Sequence, residues 1–224
     1  MPPPATSPYR LLVEGLDDKH SVIHLLRRHG FDWDDQHTIR PFVDATDGID
    51  ALLEAIPVAA KGSYERLGVV VDADDSFVDR SVAVRDRLMA AGLQSPVAPH
   101  PAGTIIEGIR PRAYVGVWLM PDNSTEGRLE NFLERLIPPS DVCWPLAREV
   151  TRAAKERGCP VRDNLKSSLH TWLAWQETPG LPFGTALLAK LFQHDSPEAL
   201  AFVDWFRRLF PTVNDEGVGV RLVG

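Results

Sequence analysis

Leu67-Gly68-Val69-Val70-Val71-Asp72-Ala73-Asp74-Asp75 is the stretch that decides the fold. A β-branched run that is apolar at odd and even positions alike suits a strand buried on both faces, as in the centre of a parallel sheet. The run stops abruptly at acidic residues. Upstream, residues 9–13 read as a first strand closed by Glu14-Gly15. Asp17 or Asp18 then caps a helix that buries Val22, Ile23, Leu25 and Leu26 and ends at Gly30. A second strand over 39–43 leads to Thr46-Asp47-Gly48, and the next helix carries Ile49, Leu52, Leu53 and Ile56 up to Pro57.

Downstream, the pattern predicts a helix over 81–91 stopped by Gly92, then a Pro-rich connection over 94–101. A strand pair over 104–109 and 113–119 follows, then a helix over 127–137. Strands alternating with helices give an α/β class: a Rossmann-type, mostly parallel sheet flanked by helices. Beyond Pro138-Pro139 the periodicity is helical throughout, over 142–157, 166–177, 184–192 and 197–210. The expected organisation is a disordered tail over 1–8, an α/β core over 9–137, a helical C-terminal extension over 138–211 packed on that core, and a tail over 212–224.

With 224 residues, 44% hydrophobic and 25% charged, the chain has the makings of a packed core and is neither disordered nor fibrous. Its 31 acidic residues outnumber 24 basic ones for a net charge of −7, which argues against holding DNA by charge neutralisation alone. Cys143 and Cys159 have no ligand-spaced neighbours, so neither a zinc site nor a disulfide framework is expected, and a reducing, cytoplasmic setting fits. No segment reaches the ~18 apolar residues of a membrane span, and residues 1–8 lack a basic-then-apolar leader. The expectation is a soluble chain with no membrane contact.

Ligands of a parallel α/β sheet sit at the carboxyl ends of its strands. Acidic residues stand at three such ends: Glu14, the pair Asp72 and Asp74, and Asp122 after Gly116-Val117-Trp118-Leu119-Met120-Pro121. Residues two apart in an extended segment share a face, so Asp72 and Asp74 point one way while Ala73 turns into the core. Carboxylates gathered without basic partners repel one another, and a hard divalent cation, Mg2+ or Mn2+, relieves that repulsion. Taken singly, each Asp also reads as a helix cap or a turn residue.

Val13-Glu14-Gly15 after a strand, with Val70-Val71-Asp72-Ala73-Asp74 after a later one, resembles the Toprim (topoisomerase-primase) domain. Its pattern is a Glu after the first strand and Asp-x-Asp after the third. The stretches 116–123, 127–132 and 169–177, with Pro179-Gly180 and Gly184, are similar to an uncharacterised prokaryotic Toprim-related family. The likeness spans roughly 11–210.

The resemblance implies a Toprim-like fold in which Glu14 binds metal or acts as general acid-base while Asp72 and Asp74 bind metal. Within the superfamily, the overcoming-lysogenization-defect (OLD) nucleases use Glu-x-x-x-Asp in the first motif, which Glu14 and Asp18 match. They also use a later glutamate, matched by Glu130, and a lysine from beyond the acidic motifs, for which Lys166 is the candidate. Two cations ~4 Å apart would then act on a phosphodiester. Glu14, Asp18 and Asp72 would form one site, and Asp72, Asp74 and Glu130 the other. OLD relatives carry an ATPase domain, whereas this chain has no Gly-x-x-x-x-Gly-Lys-Ser/Thr. A separately encoded ATPase partner, in phage defence or DNA repair, is therefore implied.

Other readings stay open. Asp72 followed by Ala73-Asp74-Asp75-Ser76 also imitates the start of a haloacid-dehalogenase-like phosphatase, with Asp72 as nucleophile, and a receiver-like domain would use Asp72 as phosphoacceptor. A Toprim fold kept as a non-catalytic binding module for nucleic acid or a partner ATPase is the non-enzyme alternative. Topoisomerase action needs a nucleophilic tyrosine, and Tyr9 and Tyr114 read as strand residues. Between 148 and 166 the chain carries six basic residues against three acidic ones. Arg148, Arg152, Lys155 and Arg162 are accordingly the candidate nucleic-acid contacts, with a solvated helix face as the plain alternative. Trp172 and Leu173, like Phe202, Trp205, Phe206 and Phe210, follow helical spacing and are assigned to the core. A homodimer seam is the second reading of the last stripe.

Overall fold

A computed structural model describes residues 7–35, 39–110 and 113–211. The chain runs β1 (Tyr9–Val13), α1 (Leu16–Arg27), β2 (Phe42–Ala45), α2 (Ile49–Lys61), β3 (Arg66–Asp72), α3 (Phe77–Ala90), β4 (Thr104–Glu107) and β5 (Tyr114–Met120). It continues through α4 (Leu129–Arg135), α5 (Cys143–Glu156), α6 (Asn164–Ala174), α7 (Phe183–Leu188) and α8 (Pro197–Leu209). Five strands form one sheet in the order β2-β1-β3-β5-β4. β1, β2, β3 and β5 pair in parallel, and only β4 runs antiparallel, against β5. The α/β class and the mostly parallel sheet follow from the crossover helices that parallel neighbours require.

Alternation along the strands divides the core. Leu12, Leu67, Val69, Val71, Val115, Val117 and Leu119 face one side and pack with Leu52, Ile56, Val84 and Leu88 of α2 and α3. Leu11, Val13, Val43, Val70, Trp118 and Met120 face the other, against α1, α4 and the C-terminal helices. β3 and β5 are therefore apolar at nearly every position because both faces are covered. Of the tails, only Ser7 and Pro8 are among the described residues, and both are tied in. The Ser7 hydroxyl donates to the Arg40 carbonyl at 2.8 Å, and the Pro8 carbonyl accepts from the Glu65 amide at 2.8 Å.

Among the boundaries that differ from the sequence reading, three have a plain physical cause. β2 begins at Phe42 rather than at 39, because Pro41 has no N–H to give the ladder and pairing with β1 starts at Arg10↔Phe42. α2 does not stop at Pro57 but continues to Lys61, since Ile56 and Ala59 on either side of the proline are buried. α3 starts at Phe77, four residues early, because the Ser76 hydroxyl caps it by accepting from the Asp79 amide at 3.2 Å.

Two glycines make room for the last helix. Gly68 and Gly116 are paired across β3 and β5 and leave a trough without side chains. A Cβ on Gly116 would lie 2.4 Å from Leu209, and one on Gly68 would lie 2.5 Å from Leu11 and 3.1 Å from Phe210. α8 settles into this trough with Phe202, Trp205, Phe206 and Leu209 all fully buried, each worth about 1.5–3 kcal/mol on transfer from water. The stripe is core, and this face of α8 is not left for a dimer seam. Trp172 is likewise core, its indole N–H donating to Asp141 at 3.1 Å. Among the described residues no helix is long and apolar enough to cross a membrane.

α7 packs on α1 at Gly184, where a Cβ would stand 2.7 Å from the His20 backbone. Gly→Ala inside an exposed helix is ordinarily stabilising. Here Gly184→Ala is expected to destabilise by about 1–3 kcal/mol through overpacking. Thermal unfolding followed by circular dichroism would show a lower Tm; an unchanged or raised Tm contradicts this packing.

Candidate metal centre

Hydrogen-bonded pairing of β1 with β3 places the residues that follow them side by side. Glu14 leaves the end of β1 and its Oε1 accepts the backbone N–H of Asp72 at 2.7 Å. Asp72 closes β3, and its Oδ1 accepts from the Leu129 amide at the start of α4 at 3.0 Å. Asp18 lies in the first turn of α1 and reaches back to the Gly15 amide at 3.0 Å. Gly15, not Asp17 or Asp18, is therefore the N-cap of α1, and Asp18 acts from the third position of a capping box. Among the described residues no hydrogen bond engages Glu14 Oε2 or Asp72 Oδ2. Among the described residues neither side chain, nor Asp18, has a lysine or arginine within 4.0 Å.

The electrostatics record the crowding. Burial, then the charges of Asp18, Glu14, Glu130 and Asp74, push the Asp72 carboxyl up to about 9. Burial raises Glu14 to about 7 against the stabilising Asp72 amide, with Asp18 and Asp74 adding repulsion. Asp18 rises to about 6, mainly through burial and then Glu130. Carboxylates from three stretches of chain, 14–18, 72–74 and Glu130, thus contribute charge at one rim of the sheet.

Asp74 departs from the expected alternation. The strand ends at Asp72, and Asp74 takes a left-handed φ of 52°, its backbone exchanging two hydrogen bonds with Gly127 at 2.8 and 2.9 Å. Ala73 does turn into the core, but the Asp74 carboxylate meets Arg80 at 2.6 Å. Asp122 does not join the cluster. It ties its own turn together, accepting from Ser124 and Thr125 amides at 2.9 and 2.8 Å, and pairs with Arg135 at 2.6 Å. Although burial works against it, Arg135 and those amides hold Asp122 well below the usual carboxylate range. Its sequence position at a strand end signalled a turn, the plainer of the two readings.

The C-terminal helices bring the cation. Lys166 in the first turn of α6 lies 3.1 Å from Glu130 and 3.0 Å from Asp17. α6 is anchored there by Asp163, which caps it at the Lys166 amide, 2.9 Å, and pairs with Arg128 at the start of α4. Arg148 and Arg152 of α5 border a groove of about 660 Å3 between α4, α5 and α6, alongside Asn131 and Asn164. Arg148 there meets Glu134 at 3.3 Å, while Lys155 and Arg162 are exposed.

Sequence reasoning missed Asp17, Arg80, Arg128 and Asp163 as partners of the cluster. Arg80 was legible in principle, because Ser76 with Asp79 is a cap signature that brings Arg80 onto α3. The Arg128–Asp163 pair spans 35 residues and left no local signal.

The chain belongs to the DUF3226 family. The model of that family, described as a protein of unknown function, matches residues 8–211. The match covers both strand ends, Glu130 and Lys166, so the whole rim lies within the family region. No curated protein and no solved structure matches the chain.

The donor set fits a hard divalent cation: all candidates are carboxylates, the oxygen ligands Mg2+ and Mn2+ prefer, and an ammonium already sits against one of them. As placed, no three His, Cys, Asp or Glu side chains among the described residues form a finished cage. Closing one requires rotation of carboxylates that now repel.

Raised carboxyls imply a pH dependence. Asp72, Glu14 and Asp18 bind protons more tightly folded than unfolded, so their contribution is fully present below about pH 4 and is lost as pH rises through 6, 7 and 9. Metal-free protein is expected to lose Tm across this range. Asp72→Asn, which keeps the oxygen facing Leu129, is expected to flatten the loss and to melt higher than wild type at pH 8–9. Relief of 1 kcal/mol corresponds to about 2–4 °C. Scanning calorimetry in EDTA from pH 5 to 9 checks this; parallel profiles for the two chains contradict it.

Proposed function

We propose that the chain is a Mg2+- or Mn2+-dependent, Toprim-type nuclease that hydrolyses nucleic-acid phosphodiesters. The observation that supports it best is the contact between Glu14, following the first strand, and Asp72, following the third, on strands that pair directly. That adjacency is what a Glu after strand one and Asp-x-Asp after strand three require to work as a unit. Glu14 Oε2 and Asp72 Oδ2 are the oxygens left to face an ion, with Asp18 beside them. Glu130 and Asp74 lie further along the rim, each held by a basic side chain. A divalent cation bound there would supply charge neutralisation on the phosphate and an acidified water.

The chain's own residues do the rest. The two backbone N–H bonds from Asp72 and Leu129 fix the carboxylate orientations before substrate arrives. Lys166 offers an ammonium to a phosphate oxygen at the rim, and the groove bordered by Arg148 and Arg152 is the place for the flanking backbone. With a net charge of −7, these local cations and a partner chain have to provide the approach to DNA or RNA. A separately encoded ATPase is the partner this reading carries with it.

The test is cleavage of supercoiled plasmid, single-stranded DNA and RNA by the full chain in Mg2+, Mn2+ or EDTA. Cleavage is expected only with metal, reduced at least ~100-fold in Glu14→Gln and Asp72→Asn and within about twofold of wild type in Asp122→Asn, which leaves the rim intact. Cleavage that survives EDTA or Asp72→Asn contradicts the proposal. A metal-loaded chain that binds nucleic acid and cuts none of the substrates contradicts it in favour of a binding module.

A further inference from the structure

The rim is electrically lopsided. At one end, Glu14, Asp18 and Asp72 gather with no lysine or arginine within 4.0 Å among the described residues. At the other, Glu130 has a side chain only 8% exposed, and its one ion pair among the described residues is with Lys166, at 3.1 Å. A carboxylate withdrawn this far from water needs a cation beside it. That cation is supplied from 36 positions along the chain by a helix whose first turn is pinned through Asp163 to Arg128. The same ammonium reaches Asp17 at 3.0 Å and stands 5.8 Å over the Phe183 ring of α7. Three separate contacts, from α1, α4 and α7, therefore fix its position.

Resting on the metal reading above, we propose that the Lys166 ammonium holds the place of a second cation, so that the chain takes one divalent ion, at Glu14 and Asp72, and not two. An ammonium is a compact, strongly hydrated charge with three rotatable donors, able to neutralise Glu130 and Asp17 together. It does not acidify a water as a divalent ion does, so only the Glu14–Asp72 end is equipped to activate the nucleophile. Lys166 acts at the rim as a fixed positive charge and positions Glu130.

The test counts ions. Metal-free full-length chain is titrated with MnCl2, bound Mn2+ being followed by calorimetry and electron paramagnetic resonance, with Tm measured in EDTA and in Mn2+. Wild type is expected to bind one Mn2+ per chain. Lys166→Met removes the ammonium at similar length and is expected to bind two, to melt lower than wild type in EDTA, and to regain that loss in Mn2+. Lys166→Arg keeps a cation and is expected to stay at one.

Should Lys166→Met fail to fold without metal, it is purified in Mn2+ and the ions retained after gel filtration are counted by elemental analysis. Two ions in wild type, or one in Lys166→Met, overturns the inference while leaving the metal reading intact. No ion in wild type overturns the metal reading itself and this inference with it.

Discussion

Mutual repulsion among half-buried carboxylates is the constraint around which the rest of this molecule is arranged. Burial weakens the acidity of Glu14, Asp18 and Asp72, and the charges of neighbouring carboxylates add to it. A fold that holds them together forgoes stability there unless something positive is nearby. The backbone does part of that work. The Asp72 amide meets Glu14, the Leu129 amide meets Asp72, and the Gly15 amide meets Asp18, each at 2.7–3.0 Å. These neutral donors orient the carboxylates but do not cancel their charge. Such a rim is what the proposed cation site requires.

Around the rim, basic side chains are distributed unevenly and from distant segments. Arg80 from α3 meets Asp74, and Lys166 from α6 meets Glu130 and Asp17. The C-terminal helices are thus more than a cover for the sheet. α8 fills the glycine trough over β3 and β5, and α7 locks against α1. α6 then starts where Asp163 and Arg128 bring it beside α4. Hydrophobic burial sets where the helices lie, and two ion pairs between α4, α6 and α1 set the position of the Lys166 ammonium.

Much of this was legible in the sequence, for local reasons. The run 67–71 reads as a strand covered on both faces, and Glu14 and Asp72 stand directly after β-branched or apolar runs, so their place at strand ends followed. The helical stripes of α1 and α8 named their buried residues correctly. What failed had its cause elsewhere in space. Pro57 reads as a stop until the buried faces of Ile56 and Ala59 hold the helix together across it. Asp74 seemed to share a face with Asp72 because the strand was assumed to continue, whereas a left-handed φ turns the chain there. Asp122 sits at a strand end like the others, but its neighbours Ser124, Thr125 and Arg135 claim both its oxygens. Lys166 beside Glu130 depends on a crossing of helices that no local pattern encodes.

A diffraction measurement on crystals of the full chain grown in Mn2+, collected near the manganese absorption edge, tests the central claim most directly. The account predicts an anomalous peak within ~2.5 Å of oxygens from both Glu14 and Asp72, on the side of the rim away from Lys166. A peak elsewhere, or a rim left without one at saturating Mn2+, would contradict it.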